Sequence, residues 1–70
     1  MNSFRDVIDL WPSMAEMARQ AHVTHGTVKQ WRRRNSIPSR YWLRLVLLSD
    51  LHGYGVNWGR LAEIANVADR

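Results

Sequence analysis

Seventy residues make one domain with a thin stability margin, because a chain this short buries only ~60% of its unfolded surface. There is no cysteine, which excludes disulfide staples and thiolate zinc frameworks, and no apolar run reaches the ~18 residues of a membrane span. The net charge is +4 and unevenly spread: Arg19, Lys29, Arg32, Arg33, Arg34, Arg40 and Arg44 have no acid between them, whereas Asp6, Asp9, Glu16, Asp50, Glu63 and Asp69 lie outside that stretch. Such a segment is either the electrostatic footprint of a polyanion partner or a solvated face that keeps the chain in solution.

The pattern predicts five short helices, no strand and no repeat. The first runs from about Ser3, a plausible N-cap, to Leu10, with Phe4, Val7, Ile8 and Trp11 as its apolar stripe. Pro12 closes it, since the residue before a proline is pushed out of the helical region. The second runs from about Met14 to Ala21. Ser13 and Glu16 form the S-x-x-E capping box, and Met14, Met17, Ala18 and Ala21 line one face. After a turn at His22 and Val23, Thr24 caps a third helix that runs to about Arg34, with Val28 and Trp31 as its inner face. Asn35, Ser36 and Pro38 end it.

A fourth helix is expected from about Ser39 to Leu51. It is apolar over a broad face that includes Trp42, Leu45, Val46 and Leu48, so it is central to the core or shares a side with a partner. Gly53 and Gly55 terminate it. Asn57 caps the last helix, whose expected inward stripe is Trp58, Leu61, Ile64 and Ala65. The tryptophans Trp11, Trp31, Trp42 and Trp58 supply large apolar surfaces in place of staples, Trp58 being the one that could instead meet a partner. The segment Met1 to Asp9 carries Asp6 and Asp9 and no apolar run, unlike a signal peptide, so a cytoplasmic location is expected.

The stretch from Met14 to Arg33 resembles the helix-turn-helix of Cro- and CI-type phage repressors. Ala18 stands where the second and third helices cross and only a small side chain fits. Val23 plugs the gap after the turn, and Val28 and Trp31 anchor the third helix. The resemblance covers about twenty residues closely, and the five-helix plan extends it over most of the chain. One departure is His22, at a turn position usually held by glycine because the backbone there takes positive φ; histidine tolerates that region better than most residues. The resemblance implies an all-α, lambda-repressor-like or Cro-like helix-turn-helix domain over residues 1–70, with the motif at about 14–34. It also implies a phage or prophage-type repressor, bacterial or phage-encoded and nucleoid-associated, that binds a short palindromic operator as a homodimer.

At 100° per residue, the side opposite Val28 and Trp31 carries Gly26, Lys29, Gln30 and Arg33, flanked by His25 and Arg32 on one edge and by Thr27 and Arg34 on the other. Donors without acids suit a B-form major groove, which admits a helix and displays acceptors on its base edges. Gln30 can pair with adenine, Lys29 and Arg33 can reach guanine or phosphate, and His25 and Thr27 stand near the helix start where such helices touch bases. Gly26 either lets the backbone approach a base closely or is a neutral feature near a helix end. Ser13 and the first amides of the second helix, Thr24, Arg34, Asn35 and Arg40 are candidate phosphate contacts, which position without reading sequence.

Double-stranded DNA is thus the expected partner, with no cofactor, metal or small-molecule ligand and no membrane. His22 and His25 straddle a turn without a carboxylate or thiol beside them, and no nucleophile–base set suggests an enzyme. A rival of another class is a nucleoprotein assembly module of the terminase small-subunit or excision-factor kind, which would favour direct repeats or bent DNA over an inverted repeat. A pure protein-interaction module is disfavoured by the uninterrupted basic side of the third helix.

Overall fold

Four side-chain caps of the pattern are made. The computed structural model describes residues 3–68, with side chains described through Asn66, so Asp69 falls outside it. Ser3, Ser13, Thr24 and Asn57 each accept the N–H three residues on, from Asp6, Glu16, Thr27 and Arg60, at 2.8–3.2 Å. Each bond satisfies one of the donors that a helix start leaves free. The helices are α1 (Phe4–Ile8), α2 (Met14–Ala21), α3 (His25–Arg34), α4 (Trp42–His52) and α5 (Trp58–Ala68), and no strand occurs among the described residues.

The ends are also local chemistry. His22 closes α2 at φ 58° and Asn35 closes α3 at φ 53°, both left-handed. At α2 the N–H groups of His22 and Val23 return to the carbonyls of Arg19 and Ala18; at α3 those of Asn35 and Ser36 return to Arg32 and Trp31. Both are the paired 5→2 and 6→1 bonds of a Schellman end, made here without glycine. Gly53 ends α4 at φ 75° in the same region, where glycine is unstrained.

Four expectations need correction. The first helix stops at Ile8 rather than Leu10, because the N–H groups of Leu10 and Trp11 bond three residues back, to Val7 and Ile8, and this tighter turn swings Trp11 into the core. The fourth begins with a 3-10 turn at Ser39–Tyr41, since Pro38 precedes it without a side-chain cap, and becomes α-helical only at Trp42. The capping box is half made: the Glu16 carboxylate turns to Arg19 and to the Gln20 amide, 2.9 Å away, instead of to Ser13. Those two donors, Arg19 first, hold its pKa down to about 2. Trp58 is 50% exposed and meets the core edge-on, its ring 5.5 Å from Trp42.

The core gathers residues from every helix: Phe4, Val7, Ile8 and Trp11; Met17, Ala18 and Ala21; Val28 and Trp31; Ile37; Trp42 and Leu45; Val56; Leu61 and Ile64. Met14, Val23, Val46, Leu48 and Ala65 lie partly buried against it. The Cα radius of gyration, 10.9 Å, matches the ~11 Å of a compact chain of this length. Indole N–H groups find partners, Trp11 on the Gln20 amide oxygen at 2.9 Å and Trp42 on the Ile37 carbonyl at 2.8 Å. Ser49, fully buried on α4, accepts the Val56 N–H at 2.8 Å and so fixes the return of the chain toward α5. No buried side-chain polar atom among the described residues lacks a partner, as a small core requires.

Candidate nucleic-acid interface

α3 lies against α2 on one side and α1 on the other. Val28 is 0% and Trp31 5% exposed, and Trp31 stacks obliquely on Tyr41 at 5.0 Å. With these two residues turned inward, helical geometry turns Gly26, Lys29, Gln30 and Arg33 outward, and all four are exposed, as are His25, Arg32 and Arg34. Thr27 is half-buried; its hydroxyl lies 2.8 Å from that of Thr24, so the two threonines form one hydroxyl pair at the helix start.

A groove runs along each edge of this side. The larger, about 790 Å³, has Arg5 and Met14 on the far wall and Gly26, Lys29, Arg32 and Arg33 on the α3 wall. The smaller, about 320 Å³, runs between Thr27 and Arg34 on α3 and Pro38, Arg40 and Tyr41 in the following segment. Gln30 lines both and so forms part of the ridge between them.

The seven cations of the basic stretch are not equivalent. Arg19 is paired with Glu16 within α2, and Arg44 donates to the Ala21 carbonyl at 2.6 Å, closing the end of α2. Arg32 makes a two-point pair with Asp9, at 3.0 and 3.2 Å, whose hydrogen bond raises the pKa of its guanidinium further. Arg40 lies over the Tyr41 ring, 5.1 Å from its centre. Lys29, Arg33 and Arg34 hold no hydrogen bond or ion pair among the described residues, and they stand together on α3.

Of the expected phosphate contacts, Ser13 is also the cap the pattern predicts, whereas Asn35 has a structural task the sequence does not show. The Asn35 amide oxygen accepts the Arg5 N–H at 3.1 Å, and the Ser13 hydroxyl oxygen accepts the Glu16 N–H at 3.0 Å. The Asn35 amide N–H groups and the Ser13 hydroxyl hydrogen remain as donors. A Cβ built at Gly26 would meet nothing nearer than Thr24 Oγ1 at 3.9 Å, so folding alone does not require glycine there.

Arg5 and Asp9, which the sequence does not single out, position the end of α3. The Arg5 guanidinium donates to the carbonyls of Arg32 and Arg33, at 2.8 and 3.1 Å, and Asp9 holds Arg32 itself. Together they tie α1 to the last turn of α3. Their spacing of four along α1 was visible, but it implies only that they share a side of that helix.

No group of three or more metal-ligating side chains occurs among the described residues, and no helix there is long and apolar enough to cross a membrane. Comparison with family models, curated proteins and solved structures gives no match to this chain.

Proposed function

We propose that the chain is a sequence-specific double-stranded DNA-binding regulator in which α2, the His22–Val23 turn and α3 act as a helix-turn-helix. The observation that carries this reading is the side of α3 opposite Val28 and Trp31: Lys29, Gln30 and Arg33 are exposed there beside the Cβ-less Gly26, with no acid among them. A helix bearing donors on its free side is the shape and chemistry that the B-form major groove accepts. Gln30, on the ridge, reads a base by its amide, and Lys29 and Arg33 reach guanine edges or phosphate. Gly26 lets the backbone come close. Arg34, Arg40, the Thr24–Thr27 hydroxyl pair and the remaining donors of Ser13 and Asn35 hold the flanking phosphates. By resemblance to Cro- and CI-type repressors, the regulator is a repressor of phage or prophage type, binding an inverted repeat as a homodimer.

Selection of bound duplexes from a random pool tests this. The expected product is a short inverted repeat whose binding weakens steeply with salt. Recovery of direct repeats would transfer the chain to nucleoprotein assembly, and absence of any enriched sequence would remove the specific-regulator reading.

A further inference from the structure

Leu43, Leu47 and Leu51 recur at every fourth residue of α4 and are 60%, 60% and 77% exposed. They lie on one stripe, opposite the buried Trp42, Leu45 and Ser49, and nothing among the described residues covers them. Isolated exposed leucines are ordinary; a contiguous row of three on a small domain marks an interaction surface.

We propose that this stripe is where two copies of the chain associate, α4 against α4, antiparallel about a two-fold axis through Leu47. Residues spaced by four are self-complementary under that operation: Leu47 meets its counterpart, and Leu43 of one copy lies over Leu51 of the other, giving a closed, isologous contact.

Charge favours this occupant. Whole copies carry +4 each and repel, but the charged residues of α4, Arg44 and Asp50, cancel. Self-association through α4 therefore adds no local repulsion at the contact, whereas docking through the cationic side of α3 would. A lipid surface is the poorer fit, since interfacial helices carry several cations beside their apolar side, whereas α4 has Arg44, already bonded to the Ala21 carbonyl.

The area bears on strength. The exposed fractions add to about two whole leucines, which with the flanking Val46 and Leu48 reaches roughly half of the ~800 Å² that each partner contributes to a standard interface. A reversible, concentration-dependent dimer follows, not a permanent one. The inference names the surface for the homodimer of the reading above, yet its test needs no DNA.

The experiment is sedimentation of the DNA-free chain over a range of concentrations, for wild type and Leu47→Glu, with circular dichroism as the check on folding. Wild type should pass from one chain to two, and Leu47→Glu should weaken association by about tenfold or more. Because the native sequence lacks cysteine, Leu47→Cys treated with a short bis-maleimide should give a linked dimer, and Ala62→Cys, at an exposed position of α5, should not. This second measurement decides the matter if Leu47→Glu unfolds. A single-chain mass at every concentration, an unaltered dimer in Leu47→Glu, or equal linkage at both cysteines overturns the proposal. So does a monomer that binds phosphatidylglycerol vesicles through Leu47. Salt separates this inference from the DNA reading: raising it should weaken duplex binding but not apolar association. A dimer that binds no duplex would sink that reading alone, and a monomer that binds one would sink this inference alone.

Discussion

His22 and Asn35 sit at positive φ without being glycine, and they differ in what else they do. Asn35 also spends its amide oxygen on the Arg5 N–H, so its identity is set twice over. His22 has no such second bond, and its backbone carries the strain of a left-handed non-glycine residue. His22→Gly should therefore stabilise the domain by about 0.5–1 kcal/mol, raising Tm by a few degrees. A lower Tm in a thermal scan would mean that the imidazole contributes more than the backbone loses. Asp9 presents its carboxylate to Arg32 much as a phosphate would, and both groups are about half exposed. Asp9→Asn should release Arg32 to the basic side of α3. Duplex binding should then tighten at low salt, and the slope of log affinity against log salt should steepen by ~1. An unchanged slope would show that Arg32 takes no part in binding.

At the scale of the element, α3 divides into a ridge and an end. Gln30 lies between the two grooves, whereas Arg34 lies in the last turn, beside the smaller groove that Arg40 also lines. Gln30→Ala should cost ~1–3 kcal/mol on the selected site and relax preference at one base pair. Equal loss on selected and random duplexes in a competition assay would remove it as a reader. Arg34→Ala should weaken every sequence alike and lower the salt slope by ~1. A defect confined to one base position would reverse that assignment. The two bonds from Arg5 to the carbonyls of Arg32 and Arg33 belong to the same scale, because they hold the end of α3 against α1.

For the molecule as a whole, stability rests on few large side chains. Trp31 joins α3 to Tyr41 in the 3-10 turn, Trp42 joins Phe4 of α1 to Trp58 of α5 with ring separations of 6.0 and 5.5 Å, and Trp11 meets Tyr54 at 4.8 Å. Losing a buried tryptophan costs ~3–5 kcal/mol, a large share of what a domain of this size holds. Trp31→Ala should leave the chain largely unfolded at room temperature by circular dichroism. An intact cooperative transition would place the weight of the core elsewhere.

Most of the helices could be located before any coordinates, since their signals span three or four residues. Ser3, Ser13, Thr24 and Asn57 bond to amides of their own segment, and the inward stripes of α1, α2 and α3 follow from the helical period. The same period turned Lys29, Gln30 and Arg33 away from Val28. What depended on distant partners was illegible. Asp9 lies 23 residues from Arg32, and Arg44 lies 23 from the carbonyl it caps, so which cations stay free could not be read from a basic run. Trp58 and the three outward leucines of α4 are as apolar as their buried neighbours. Hydrophobicity states that a side chain favours leaving water, but the neighbouring helices decide whether there is room for it inside.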